Sequence, residues 1–200
     1  PEVLSYFDAG IKFDFSKDLF PLLMKKNKHV YGFITDDYWC DIGNTKTYLE
    51  AHFDLLSNPS LVPFSASIHK DNVYYGRGAT IDKEALIEGP AYIGDFSKIE
   101  KGAYIGPYSV IGKNCRISEG VSIKRSVLWD RVAVGALSEI RGAILCNNVD
   151  IRARTSIYEG VVVGSNSQIK DGAILNPLVK IWPFKTIDEK SIVNENLIWG

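Results

Sequence analysis

One short motif, Asp41-Ile42-Gly43, contains a residue type that could carry out chemistry. The Asp41 carboxylate is a hard oxygen ligand of the kind that Mg²⁺ prefers. The glycine turn beside it would leave room for an ion bound to phosphate. The same residues are equally compatible with an Asx turn or a surface ion pair, because aspartate side chains commonly bond to nearby backbone. The motif alone therefore leaves both a metal ligand and a structural turn open.

The remaining candidate groups are few. Asp36 and Asp37 follow an alternating apolar segment and are interpreted as turn residues. Histidine and cysteine are scarce, and the chain contains only His29, His52, His69, Cys40, Cys115 and Cys146. The cysteines are odd in number and lack CxxC spacing, which favours reduced thiols over a disulfide framework.

The composition excludes several classes of partner. The 23 basic and 24 acidic residues give a net charge of -1, which predicts no binding to nucleic acid or to an anionic membrane. No apolar run approaches the roughly 20 residues of a membrane span, and the first residues do not resemble a signal peptide. A cytoplasmic location is the expectation.

Isoleucine recurs every six residues through the middle of the chain. Eight isoleucines keep this register without a break, at positions 81, 87, 93, 99, 105, 111, 117 and 123. A small or short residue lies two positions before each of them. A period of six fits no helix, and β-branched anchors favour short strands joined by tight turns. Three hexads form one triangular coil, so the pattern predicts a mainly β fold, a parallel β-helix with the large aliphatic side chains on its axis.

The register slips twice, because the steps from Ile123 to Leu128 and from Ile140 to Leu145 are five residues long. Six-residue spacing then continues to Ile181. At a strand spacing of about 4.8 Å, this predicts about five to six coils and a prism roughly 25 Å long. The predicted boundaries are a linker at 58–72, the β-helix at 73–183, and a tail or junction to a further domain at 184–200. The segment 182–184 is expected to cap the prism.

Residues 1–57 have a different pattern. A short helix is predicted within residues 13–26, with Ser16 as a candidate cap, and a strand at 29–35. A second helix is predicted at 45–56, with a cap at Asn44 or Thr45 and an end at Asn58-Pro59. So few residues bury too little surface to offset chain entropy. They are therefore expected to need a neighbour outside this sequence, and they could also cap the N-terminal end of the β-helix.

Several blocks of this segment resemble the end of the catalytic domain of sugar-phosphate nucleotidyltransferases. They are Phe13 to Pro21, Val30-Tyr31-Gly32-Phe33, Tyr38-Trp39-Cys40-Asp41-Ile42-Gly43-Asn44 and Tyr48-Leu49-Glu50-Ala51-His52. Mannose-1-phosphate guanylyltransferases and glucose-1-phosphate nucleotidyltransferases share this ending, and many continue into hexapeptide repeats. The repeat itself is similar to the left-handed β-helix family, and that resemblance implies a left hand.

The resemblance also implies a function. The parent would be a Mg²⁺-dependent pyrophosphorylase that makes an NDP-sugar, most simply GDP-mannose, from an NTP and a sugar 1-phosphate. In that family the position of Asp41 is a metal ligand. The glycine-rich triphosphate loop and the sugar-binding blocks are absent, so the catalytic residues are expected upstream of Pro1 and the 200-residue chain is expected to be inactive alone.

Two other functions remain open. A hexapeptide acyltransferase or a γ-type carbonic anhydrase would need histidines in the coils, and none follows His69. A non-catalytic assembly module, including a translation-factor subunit of the same layout, is the second alternative. The β-helix is expected to support a homo-oligomer, and its outward aromatics, Tyr92, Phe96, Tyr104, Tyr108 and Trp129, are candidates for a subunit contact or for packing within the chain.

Overall fold

The computed structural model describes residues 2–61, 67–69 and 72–197. Parts of the predicted linker and of the predicted tail, residues 62–66, 70–71 and 198–200, lie outside the described residues. Two compact units are present, Pro1–Trp39 and Cys40–Gly200. The division falls inside the segment predicted as one domain, residues 1–57, because the second predicted helix belongs to the β-helix unit.

The first unit has little regular structure. It contains a 3₁₀-helix, Glu2–Tyr6, a π-helical turn, Phe15–Leu19, and a short helix α1, Phe20–Lys25. Asp14, rather than Ser16, caps this turn by accepting a hydrogen bond from the Lys17 amide. The strand predicted at 29–35 is not formed. A strand needs a partner for its backbone hydrogen bonds, and the described residues offer this segment none.

Helix α2, Thr45–Ser57, forms as the sequence predicts. Asn44 is its N-cap, and its side chain accepts hydrogen bonds from the amides of Lys46 and Thr47 at 2.9 and 3.0 Å. The Thr47 side chain bonds back to the Asn44 amide, which completes a capping box. A 3₁₀-turn, Pro59–Leu61, follows the helix.

The β-helix has three faces, which we name A, B and C. Face A consists of β1 Ser67–His69, β2 Val73–Tyr75, β5 Ala91–Ile93, β8 Ser109–Ile111, β11 Val127–Leu128, β14 Ile144–Leu145, β17 Val162–Val163 and β20 Lys180–Ile181. Face B consists of β3 Thr80–Ile81, β6 Lys98–Ile99, β9 Arg116–Ile117, β12 Ala133–Val134, β15 Asp150–Ile151, β18 Gln168–Ile169 and β21 Thr186–Ile187. Face C consists of β4 Leu86–Ile87, β7 Tyr104–Ile105, β10 Ser122–Lys124, β13 Glu139–Arg141, β16 Ser156–Ile157, β19 Ile174–Leu175 and β22 Ile192–Val193. All neighbours within a face are parallel except β1, which pairs antiparallel with β2.

The prism is longer than the sequence analysis predicted. Faces B and C each have seven strands, so there are about seven coils instead of five to six. Ile187 and Val193 continue the six-residue register beyond Ile181, and both occupy inward positions in the last coil. The predicted cap at 182–184 is therefore wrong: Phe184 is a corner residue within the repeat, with φ +62° like the equivalent corners.

The predicted anchors form the core. From Ile93 to Ile181 the inward aliphatic residues are almost completely buried in one continuous cluster. Some of the small-residue positions hold buried hydroxyls that bond to backbone of neighbouring coils. Ser138, for example, donates to the Arg152 carbonyl at 2.9 Å and accepts from the Thr155 amide at 3.1 Å. These hydroxyls bond to backbone groups at the corners and are themselves hydrogen-bonded, so they join neighbouring coils.

Several corners place a large apolar residue in the left-handed backbone region. Phe96, Leu137 and Leu178 have φ values of 58°, 59° and 70°. Each side chain lies over a glycine one coil earlier: a Cβ on Gly120 would be 2.8 Å from Leu137, and a Cβ on Gly160 would be 2.7 Å from Leu178. These exposed apolar residues therefore pack along the corner, and glycine beneath them supplies the space.

The two five-residue steps occur at the same corner. Ile123 and Ile140 both lie on face C, and Leu128 and Leu145 both lie on face A, in consecutive coils. The outward residues that follow these steps, Val127 and Ile144, are only 2% and 4% exposed although they point away from the axis. The shortened corners therefore border the part of face A that helix α2 covers.

Candidate functional site

Asp41 lies in the irregular segment that leads into helix α2, three residues before the N-cap, and its side chain is exposed. No cluster of three or more His, Cys, Asp or Glu residues that could hold a metal ion occurs among residues 2–61, 67–69 and 72–197. Asp36 and Asp37 belong to the other unit. There Thr35 donates its hydroxyl to the Asp37 carboxylate at 2.7 Å, which agrees with the turn interpretation.

Face A has an outward row that is apolar or aromatic in all but its last coil, whereas the outward row of face C is mixed. The residues in register along it are Tyr74, Tyr92, Val110, Val127, Ile144, Val162 and Lys180. The corresponding row on face B is polar, from Thr80 and Lys98 to Gln168 and Thr186. An apolar row on an outer face requires a cover, and helix α2 covers part of it.

Two aromatic clasps hold α2 against the prism. Near the start of the helix, Trp129 donates its indole N–H to the Tyr48 hydroxyl at 2.8 Å, and the two rings lie 6.4 Å apart. Burial raises the pKa of Tyr48. Near its end, Phe53 packs on Tyr108 with ring centroids 5.2 Å apart, and the Arg125 guanidinium lies 4.9 Å from the Phe53 ring. The helix thus lies along a side of the β-helix. It does not cap the N-terminal end, which was the position considered for residues 1–57.

The Tyr48–Trp129 clasp gives a direct stability test. Trp129→Phe and Tyr48→Phe each remove the hydrogen bond while keeping an aromatic ring, and each is expected to lower the free energy of unfolding by about 1 kcal/mol. Both variants lose the same hydrogen bond. The free energy of unfolding of the double variant should therefore be about the same as that of either single variant. Urea unfolding followed by tryptophan fluorescence and circular dichroism measures the cycle. Additive losses would show that the two side chains act independently.

The outward aromatics contact partners within this chain. Tyr108 and Trp129 contact α2, and Tyr104 donates its hydroxyl to Glu88 at 2.5 Å while Lys124 lies over its ring. Phe96 packs with Arg77, 5.3 Å from its guanidinium. A subunit contact through these residues remains a prediction. The role of Tyr48 and Phe53 was not predicted from the sequence, and the signal that could have indicated it is the apolar outward row of face A.

Among the histidine and cysteine side chains that the structure describes, His52, Cys115 and Cys146 are partly or fully buried. His52 is half-buried on α2, and its Nδ1 lies 2.9 Å from the Tyr48 carbonyl oxygen. Cys115 is buried, and this burial raises its pKa to about 11. Burial also raises the pKa of Cys146. Both thiols are therefore protonated near neutral pH and are poor nucleophiles.

The fold and the docked helix define a hexapeptide-repeat β-helix protein with a helical segment fixed to one face. Residues 70–175 match the family model described as the EIF2B subunit epsilon LbH domain, and residues 7–58 match the model described as Nucleotidyl transferase. The chain belongs to the left-handed β-helix family of the EIF2B epsilon LbH domain. Together, the two matches confirm the resemblance to the C-terminal part of a sugar-phosphate nucleotidyltransferase.

Curated relatives agree with this assignment. The chain is 33% identical over 137 residues to a UTP–glucose-1-phosphate uridylyltransferase of Synechocystis, covering 68% of this chain and 35% of the relative. It is 30% identical over 164 residues to a glucose-1-phosphate adenylyltransferase of Bacillus mycoides, covering 82% of this chain and 38% of the relative. The chain thus spans little more than a third of the length of these relatives.

Similar solved structures include a hexapeptide transferase family protein from Anaplasma phagocytophilum, at 19% identity and a TM-score of 0.36, covering 57% of this chain and 74% of the other. Another is the perosamine N-acetyltransferase of Caulobacter crescentus, at 16% identity and a TM-score of 0.37, covering 88% and 66%. Similarities of this size carry no argument about function. Within the described residues, no helix has the length and hydrophobicity needed to cross a membrane.

Proposed function

We propose that this chain is part of a nucleotide-sugar pyrophosphorylase that makes an NDP-sugar, GDP-mannose as the first choice, from an NTP and a sugar 1-phosphate. In this reaction a phosphate oxygen of the sugar 1-phosphate attacks the α-phosphorus of the NTP. A new P–O bond forms, the bond between the α-phosphorus and the bridging oxygen breaks, and pyrophosphate leaves. The relatives named uridylyl- and adenylyltransferases support the reaction type.

The observation that best supports this proposal is the bare apolar surface of the first unit. Tyr31, Phe33 and Ile34 are 84%, 92% and 92% exposed, in the segment whose alternation predicted a strand. Such exposure of three large residues within four positions is typical of a missing partner. A larger nucleotidyltransferase domain would supply the sheet that pairs this segment, and the match of residues 7–58 to that family supports this occupant.

Asp41 is the residue of this chain proposed to act at the reaction centre. Mg²⁺ is commonly held by one or two carboxylates together with substrate phosphates, so a single exposed aspartate fits such a site as one ligand among several. When bound, the ion would neutralise phosphate charge. The Asn44 capping box and the Tyr48 clasp fix the segment just after Asp41, which restricts where its carboxylate can lie.

The activity is tested by pyrophosphate release from the longer protein that contains this chain. GTP with mannose 1-phosphate is compared with UTP, ATP or dTTP with glucose 1-phosphate, in Mg²⁺ and in EDTA. We expect Mg²⁺-dependent release with one pair, and none from the 200-residue chain. The intact mass of the expressed protein, compared with 22.3 kDa, establishes whether a longer protein exists. A mass of 22.3 kDa, or no release with any pair, would overturn the enzyme proposal.

Substitution of Asp41 tests its role separately. Asp41→Asn removes the charge but keeps the size, and it is expected to lower kcat/KM at least about tenfold and to raise the Mg²⁺ concentration needed for half-maximal rate. Asp37→Asn is the matched control, because Asp37 bonds locally to Thr35 and should leave the rate within about twofold. Equal effects of the two substitutions would exclude Asp41 as a metal ligand.

A second candidate function is a non-catalytic assembly module, in which the β-helix supports oligomerisation or regulation. The match of more than half of the chain to the EIF2B epsilon LbH domain favours it. This function predicts a stable complex and no pyrophosphate release by the longer protein. Sedimentation analysis combined with the assay above separates the two candidates, and it also tests the proposed homo-oligomer.

A further inference from the structure

Helix α2 covers face A incompletely, and it leaves a cleft beside its first two turns. The cleft has a volume of about 510 Å³ and lies between the start of α2 and the last coils of the β-helix. Its apolar lining consists of Leu49 from the helix and Ile144, Val161 and Leu178 from the prism. This volume is within the range of small-molecule sites, which are mostly apolar with a few polar groups.

The polar side chains of this cleft can all donate hydrogen bonds. They are Thr45, Lys46, Lys180 and Asn196, and no carboxylate lines the cleft. Lys46 has only a long contact of 3.8 Å with Glu50 and is 84% exposed at its side chain. Lys180 lines the cleft without any Asp or Glu beside it in the lining, among the residues that the structure describes. The charge of the lining is therefore positive, which complements an anion.

Lys180 occupies a position that is apolar in every earlier coil. It ends the outward row of face A that contains Val127, Ile144 and Val162. Its backbone is fixed by the last residues of the repeat, because its amide donates to the Asn196 side chain at 2.8 Å and its carbonyl accepts from the Leu197 amide at 2.9 Å. These two hydrogen bonds hold the backbone of Lys180 in place, and its ammonium group extends from that fixed strand.

The backbone conformation of the repeat also positions Leu178 in the apolar lining of the cleft. Leu178 is 73% exposed and has φ +70°, an unfavourable conformation for a leucine. Its side chain lies against Gly160, which lines the same cleft. A neighbouring cleft of about 370 Å³, lined by Ile42, Tyr48, Trp129 and Cys146 among others, shares Thr45 and Ile144 with the first cleft but has no charged lining residue. The two clefts therefore differ in charge and not in their apolar character.

We propose that the cleft between α2 and Lys180 binds a small organic anion that has an apolar or flat portion, such as a phosphorylated or carboxylated metabolite. The Lys46 and Lys180 ammonium groups would pair with the anionic group. Leu49, Ile144 and Leu178 would contact the apolar portion. All the residues of this site lie within the unit formed by residues 40–200. Thr45, Lys46 and Leu49 also belong to the segment that matches the Nucleotidyl transferase model, but binding at the site is measured without any pyrophosphate release, so the two proposals are tested separately.

The test uses two dyes of similar shape and different charge. The anionic probe is 8-anilinonaphthalene-1-sulfonate, and its neutral counterpart is N-phenyl-1-naphthylamine. Amide shifts of Gly160 and Leu178 in ¹H–¹⁵N spectra of the 200-residue chain report binding at the cleft itself, separately from dye bound to exposed apolar residues elsewhere. We expect saturable shifts of both amides with the anionic dye.

Lys180→Met removes the charge and keeps an unbranched apolar side chain. It is expected to weaken binding of the anionic dye about tenfold while changing binding of the neutral dye less than about twofold. Lys83→Met, on an exposed corner of the first coils, is the matched control and should change neither. Unchanged melting temperatures show that the variants are folded. The proposal is overturned if Gly160 and Leu178 do not shift, or if Lys180→Met and Lys83→Met bind the anionic dye equally well.

Discussion

Gly164→Ala is expected to destabilise the β-helix by about 3 kcal/mol, although it adds a single methyl group. A Cβ at this position would lie 2.4 Å from the Pro183 nitrogen and 2.7 Å from the Trp182 carbonyl carbon. Both are backbone atoms of the next coil, and that coil is fixed by the bond from the Gly164 amide to the Ile181 carbonyl at 2.7 Å. The chain can accept the methyl group only by separating two coils.

The matched control for this prediction is Gly43→Ala, which meets no atom within 4 Å. Alanine there should not lower stability by more than about 0.5 kcal/mol. The midpoints of urea unfolding, followed by far-ultraviolet circular dichroism, compare the two variants with the unsubstituted chain. If both variants unfold at the same urea concentration, the coils are less closely packed at this face than the structure shows.

The second large effect is expected from Ile140→Ala, at about 3 to 4 kcal/mol. Ile140 is completely buried, and it stacks between Ile123 and Ile157 on adjacent strands of face C. Removing its outer methyl groups therefore leaves a cavity bordered by both neighbours. The close-packed prism cannot collapse to fill it, because the hydrogen bonds between coils fix the strand spacing.

Ile192→Ala provides the comparison for Ile140, since Ile192 has the same side chain on the same face but is 63% exposed. Its loss is expected to be within about 0.5 kcal/mol. The same urea measurement applies, and equal losses would mean that burial of the axial residues does not dominate stability. An intermediate value for Ile187→Ala, in the last coil of face B, would fit its position near the end of the stack.

The sequence predicted the repeat reliably because its signal is local and redundant. Each coil repeats the same anchor, so Ile81 to Ile181 identified the axis without any knowledge of tertiary contacts. The coil number was underestimated because Trp182-Pro183-Phe184 was interpreted as a cap, whereas Ile187 and Val193 continue the register. Trp182 and Pro183 do not end the β-helix, because Gly164 in the preceding coil leaves room for their backbone.

The position of α2 was predictable in part. Helix bounds and the Asn44 cap followed from local capping chemistry, and the structure confirms them. The face on which the helix lies required comparison of outward residues one coil apart, such as Val127 with Ile144. The clasps through Trp129 and Arg125 could not be derived, because they depend on side-chain geometry between segments far apart in sequence.

The prediction for residues 29–35 failed for a different reason. Their alternation is typical of a strand, but a strand is completed by hydrogen bonds to another strand. The described residues provide no such partner, so the alternating pattern of residues 29–35 is not accompanied by a strand. The role of Asp41 likewise stays a prediction, since a metal site is defined by several ligands and the described residues contribute one.

The direction of the inter-coil hydrogen bonds gives the prism a particular mechanical behaviour. All of them run roughly along its axis, so a force pulling the C-terminal end outward along that axis would load one coil at a time and not the whole fold at once. Each released coil of 17 or 18 residues would add about 60 Å of extended chain. The force needed to release a coil would be greatest at the coils of Trp129 and Arg125, because helix α2 contacts both and links neighbouring coils.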